Sequence, residues 1–135
     1  MIVRSNPEVG YVDESTFELL GFSQVVRAKD TVYYSGIAPF TGAPPEFTVI
    51  GTGSMEEQVL FLMDILERCL ASEHQTLENL VAVTVYATDV PALMATAELF
   101  AKRFGAAPPS STWVGVTALA HPDQLVELTA TAVDL

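Results

Sequence analysis

Residues 80–89 read Leu80-Val-Ala-Val-Thr-Val-Tyr-Ala-Thr-Asp89. β-Branched and aromatic side chains dominate and polar atoms are few, the pattern of a strand buried on both faces in the middle of a sheet. Asp89 is a good N-cap and Pro91 falls just inside the following turn, so the strand hands over directly to a helix. Val90, Leu93, Ala97, Phe100, Ala101 and Phe104 share one face of that helix, and Gly105 ends it. Upstream, Ser54 and Glu57 have the three-residue offset of a capping box, and a helix to about Ser72 follows. Val59, Leu62, Met63, Leu66 and Leu70 line its buried side, opposite Glu57, Asp64 and Arg68. Leu60 and Phe61 lie outside this stripe and are expected to meet the N-terminal segment or a neighbouring subunit.

Further out, Phe22 to Arg27 and Thr31 to Ile37 are β-prone runs separated by Ala28-Lys29-Asp30, which predicts an antiparallel hairpin. Ala38 to Gly53 holds Pro39, Gly42, Pro44, Pro45, Gly51 and Gly53 and is expected to be a long loop. Thr112 to Leu119 and Leu125 to Val133 are two more strands, joined by Ala120-His-Pro-Asp-Gln124. Residues 1–20 suggest only a short helix at Ser15 to Leu20. The order ββαβαββ defines an α+β domain spanning 1–135, with a sheet and two helices on one face. The other face is left bare, for which oligomerisation is the usual remedy.

Composition points the same way. The 135 residues are 50% hydrophobic and 17% charged, with a mean hydropathy of +0.35. That balance excludes disorder and implies apolar surface covered by a partner. Six Lys and Arg against 17 Asp and Glu give a net charge of -11, which repels nucleic acid and anionic lipid. The single cysteine, Cys69, precludes an intrachain disulfide and any multi-cysteine zinc site. No stretch has the length of a membrane span and the first residues lack the pattern of a secretion signal, so a soluble cytoplasmic protein is expected.

No metal, phosphate-loop or nucleotide motif is present. Gly51-Thr-Gly-Ser54 lacks the Lys of a P-loop and reads as a helix cap. His74 and His121 have no ligand-spaced partners and read as solvated surface groups. Cys69, at the edge of a buried helix face, reads as a small hydrophobe. Glu127 is the only acid in Leu125 to Val133, and alternation puts it with Leu125, Thr129 and Thr131. Two readings fit equally: the solvent face of an edge strand, or a general acid/base in a cleft. Trp113, the only tryptophan, is either core or a pocket wall.

Five segments in register carry a family resemblance: Ser23-Gln-Val-Val-Arg-Ala28, Tyr34-Ser-Gly-Ile-Ala-Pro39, Val83-Thr-Val-Tyr-Ala-Thr-Asp89, Val114-Gly-Val-Thr-Ala-Leu119 and Leu125-Val-Glu-Leu-Thr-Ala-Thr-Ala-Val133. From about Phe22 to its C-terminus the chain resembles the Rid (YjgF/YER057c, reactive-intermediate deaminase) family. The resemblance implies a chorismate-mutase-like fold and a homotrimer with a central barrel and three small-molecule clefts between subunits. It also implies hydrolysis of enamines or imines to a ketoacid and ammonia without a cofactor, by an arginine that clamps the substrate carboxylate and a glutamate that moves protons through a water. Glu127 matches that glutamate, Ser35-Gly36 the strand-end pair, and Phe22 an aromatic position that is often tyrosine.

The match departs at the clamp. Where the family has Pro-Ala-Arg-Ser/Thr, this chain has Pro108-Pro109-Ser110-Ser111-Thr112, so Ser111 stands in the arginine's place. Trp113 replaces a small residue, and Ala97 stands where some members have a cleft asparagine. A desolvated guanidinium–carboxylate pair is worth about 2–5 kcal/mol, which a serine hydroxyl does not supply. Small carboxylate-bearing imines are therefore expected to be poor substrates, unless Arg4, Arg27 or Arg103 is brought into the cleft. Two functions follow: an enamine/imine hydrolase, or related pathway enzyme, with Glu127 as acid/base and an altered substrate, or a non-catalytic small-ligand-binding or regulatory trimer. Family members have also been described as ribonucleases and translation inhibitors, which the acidic charge disfavours here.

Overall fold

A computed structural model describes residues 1–135. Its main sheet has six strands: β1 (Ile2–Ser5), β2 (Val25–Ala28), β3 (Thr31–Ile37), β6 (Leu80–Ala87), β7 (Ser110–Gly115) and β8 (Val126–Val133), in the order β1-β2-β3-β8-β6-β7. All neighbours are antiparallel except β6 and β7, which run parallel around a helical crossover. β4 (Phe40–Ala43) and β5 (Glu46–Val49) form a separate hairpin. The helices are α1 (Ser15–Leu20), α2 (Met55–Ser72), α3 (Val90–Met94) and α4 (Ala97–Phe104). None is long and apolar enough to cross a membrane.

The core lies between α2 and the sheet. The Ser54 hydroxyl accepts the Glu57 N–H at 3.2 Å, and Glu56 and Glu57 complement the positive end of the helix. Val59, Leu62, Met63, Leu66 and Leu70 are buried as the periodicity requires, with Ile65 and Cys69 beside them. They pack on Val32, Val83, Val85, Val126 and Leu128 from the facing side of the sheet. Removing each Leu- or Val-sized side chain from water contributes about 1.5–3 kcal/mol. Burial without a partner pushes the Cys69 thiol up to about 12, in keeping with a packing role.

Four sequence expectations need correction. Residues 40–49 form a hairpin, because Thr41, Phe47, Thr48 and Val49 pair on either side of a Pro44-Pro45 turn. The second helix is broken into α3 and α4, with the Thr96 hydroxyl donating to the Leu93 carbonyl at 2.7 Å; Ala97 and Ala101 are left exposed. β7 ends at Gly115, where a Cβ would meet Val90 Cγ2 at 2.9 Å. β6 is interior but buried on one face only: Val83, Val85 and Ala87 point to the helices, while Thr84 and Tyr86 are half-buried on the other side. That uncovered face is a mixture of Tyr33, Tyr86, Thr84, Thr129 and Thr131 rather than an apolar sheet.

A second, smaller core flanks one end of the sheet. Val12, Phe17, Ala38 and Phe40 are buried together, and Tyr11, Phe22, Phe47 and Val49 pack on them. Phe40 stacks on Phe47 with ring centroids 4.7 Å apart, and Phe17 meets Phe22 edge-on at 5.1 Å. Tyr11 touches both cores, and its ring lies 6.5 Å from Phe61, which answers why Phe61 falls outside the α2 stripe.

Candidate functional site

A pocket of about 370 Å³ opens between the smaller core and the sheet. Phe22, Ser35, Gly36 and Glu127 all line it, with Tyr11, Val12, Leu20, Phe40 and Phe47 as the main apolar walls. A bulge makes the site. Tyr34 pairs with Ala130 and Ile37 with Leu128, so Ser35 and Gly36 together oppose Thr129. The strand turns its backbone toward the pocket there, and a Cβ built on Gly36 would collide with the Glu127 carboxylate. Glycine is required for the acid to lie over β3. The Ser35 hydroxyl donates to the Ser23 carbonyl at 2.6 Å, which pins the bulge to the segment leading into β2.

Glu127 is aimed by Gln124, which is 1% exposed. The Gln124 amide donates to Glu127 Oε1 at 3.1 Å and to the Val126 carbonyl at 3.2 Å, and its oxygen accepts the Ala120 N–H at 3.0 Å. The turn carrying Gln124 is held in its own right by Gln58 of α2. That amide donates to the Asp123 carbonyl at 2.9 Å and accepts the Leu125 N–H at 2.8 Å. One carboxylate oxygen is thus anchored, and Oε2 lies against Gly36.

Tyr11 supplies the second polar atom. Its hydroxyl oxygen accepts the Ala38 N–H at 2.8 Å. Burial, with a contribution from Glu127, raises its pKa well above the ordinary phenol value, so it keeps its proton. Neither Tyr11 nor Gln124 is a site candidate in the sequence reading. The one hint of Tyr11 was Phe61, whose position outside the helix stripe asked for a partner.

Ser111 and Trp113 are not part of this pocket within one chain. Register explains the difference: Trp113 pairs with Val85, and Val85 with Leu128, so Trp113 lies on the helix side of the sheet. Its ring sits 5.4 Å from Phe100, and Ser111 is exposed on the edge strand β7. Trp113 therefore does not face Phe22 across a cleft within the chain. His121 is not simply solvated: it accepts the Asp123 N–H at 3.0 Å and stacks edge-on against Phe40.

No arginine lines the pocket. Arg27 is bound to Glu73 at 2.9 Å and Asp134 at 2.7 Å, beside a separate surface depression of about 780 Å³. Arg103 is held by Asp64 at 2.9 Å and by Glu67, and Arg4 sits on the edge strand β1.

The fold is a bulged α+β sheet with a carboxylate in an aromatic-walled pocket, and comparisons give its family. Residues 16–134 match the endoribonuclease L-PSP family, and the chain belongs to this YjgF/Rid family. The mitochondrial protein Mmf1 of Saccharomyces cerevisiae is 30% identical over 98 residues, 73% of this chain and 65% of the yeast protein. A RutC family protein of Pyrococcus abyssi is 26% identical over 125 residues, covering 93% of this chain and 95% of its own. Among solved structures, yeast Mmf1 superposes over 100% of both chains with a TM-score of 0.83 at 24% identity. Rv2704 of Mycobacterium tuberculosis does so over 99% of this chain and 100% of its own, with a TM-score of 0.78 at 24% identity. These structures share the fold.

Proposed function

We propose that the protein is a small-molecule enzyme of Rid type that acts on a labile enamine or imine in a cleft between the subunits of a homotrimer, with Glu127 as acid/base. The observation that carries this reading is the Glu127 carboxylate, held by Gln124 on one oxygen and presented over Gly36 to an apolar pocket. A carboxylate so placed takes a proton from a water as the water adds to the C=N carbon. From a protonated imine this gives a carbinolamine; the same proton then passes to its nitrogen, the C–N bond breaks as the hydroxyl gives its proton to Glu127, and the products are a carbonyl compound and ammonia. In the proposed trimer, β7 is a free sheet edge, and Ser111 and Trp113 on it would close the pocket of a neighbouring subunit.

The test is hydrolysis of an imine generated in situ by an amino-acid oxidase, run with wild type and with Glu127→Gln. Turnover that depends on Glu127 supports the enzyme, and turnover unchanged in the variant removes Glu127 from the mechanism. A non-catalytic ligand-binding or regulatory trimer is the second reading, favoured by the lack of any arginine in the pocket. Ligand binding without turnover of any imine would select it. The ribonuclease activity in the family's name fits this chain less well, since a net charge of -11 repels RNA.

A further inference from the structure

We infer that the Glu127 pocket selects a cation carried on an apolar or aromatic group, such as an arylalkylammonium or a protonated imine without a carboxylate. This rests on the reading that the pocket is the ligand site, and it names the class of ligand. Three observations carry it. First, the walls are Tyr11, Phe22, Phe40 and Phe47 with aliphatic neighbours, so a ring or alkyl group is what the pocket desolvates well. Second, Glu127 is the only acidic or basic side chain on the lining. Arg27 and Arg103 are committed to carboxylates elsewhere, and Arg68 donates to the Val9 carbonyl at 3.1 Å. A ligand that covers Glu127 strips its water, and only a group with N–H donors and positive charge restores what is lost. An anionic ligand meets repulsion and no counter-charge. Third, the aromatic faces attract a cation next to them, which adds to the carboxylate's preference.

Tyr11 refines the selection. Its oxygen accepts the Ala38 N–H, and its own proton, which has no acceptor within the chain, is available to a ligand in the pocket that Tyr11 lines. The site therefore offers an acceptor at Glu127 for the ligand's N–H groups or a water, and a donor at Tyr11 for the oxygen that the added water leaves on the carbon.

Calorimetric titration of the full-length protein with three probes of one shape tests the charge rule: 2-phenylethylammonium, 2-phenylethanol and phenylacetate. The ammonium is expected to bind at least about tenfold tighter than phenylacetate. Glu127→Gln should erase that preference while leaving 2-phenylethanol affinity in place, which also verifies that the variant is folded. Equal or tighter binding of phenylacetate overturns the inference, as does ammonium binding indifferent to Glu127→Gln. Failure of all three probes to bind also overturns it, even where imine hydrolysis is measured. Ammonium selectivity with no hydrolysis of any imine sustains the inference and sinks the enzyme reading, so the two fail separately.

Discussion

Glu127 owes its direction to two uncharged neighbours, Gln124 and Gly36. Glu127→Gln should preserve fold and assembly and reduce imine turnover by about 10²–10⁴-fold, the range for a placed proton-transfer group. Gln124→Ala removes the hydrogen bonds to the exposed Ala120 N–H and to the buried Val126 carbonyl, at a cost of about 1–3 kcal/mol in urea unfolding. It should also lower kcat by more than it raises KM in the fraction that stays folded, which a purely structural glutamine would not do. At this scale the sequence was half legible. Glu127 stood out as the one acid in a β-prone run, and Ser35-Gly36 as a strand-end pair. Gln124 and Tyr11 were opaque, because their roles depend on a turn and an N-terminal segment with no periodicity to read. Ser111 and Trp113 came from the family resemblance, whereas the face each occupies is a matter of register with β6.

Strands and the long helix followed from their periods, so α2 and the β2–β3 hairpin were readable to within a few residues. The break between α3 and α4 was not, since Ala95 and Thr96 keep a helix-compatible pattern while the Thr96 hydroxyl turns back on Leu93. The β4–β5 hairpin was hidden by its own Pro and Gly residues, which mark the turns and mask the short strands between them. Leu66→Ala in α2 should cost about 2–5 kcal/mol, measured by chemical unfolding, because Leu66 is fully buried against the sheet. Arg27 ties β2 to the end of α2 through Glu73 and to the C-terminus through Asp134. Its hydrogen bond, followed by that of Gln75, holds the Asp134 carboxyl below the usual carboxylate range. A lowered folded value means the tether stabilises above about pH 4 and is lost as pH falls through the folded value. Arg27→Ala should lower Tm near pH 7, and the difference from wild type should shrink as pH falls through the lowered folded value of Asp134.

For the molecule as a whole, the sheet's uncovered face and its free β7 edge predict a homotrimer, checked by sedimentation; a stable monomer at micromolar concentration would refute it. The same assembly sets the test for the missing clamp. Wild type should hydrolyse imines of small amino acids poorly, Ser111→Arg should restore weak activity, and Ser111→Arg with Trp113→Cys should exceed either change alone. Such coupling is expected of side chains that share one pocket. Vigorous wild-type turnover of those imines would show that another group anchors the carboxylate.

β8, last in sequence of the six strands, lies between β3 and β6 at the centre of the sheet. During synthesis every other strand leaves the ribosome before the one that joins them. Until β8 is released, β3 and β6 present open edges with nothing between them, a state prone to pairing with other nascent chains. The carboxylate of the pocket arrives on that same strand, so no translation product ending before it could hold either the sheet or the site.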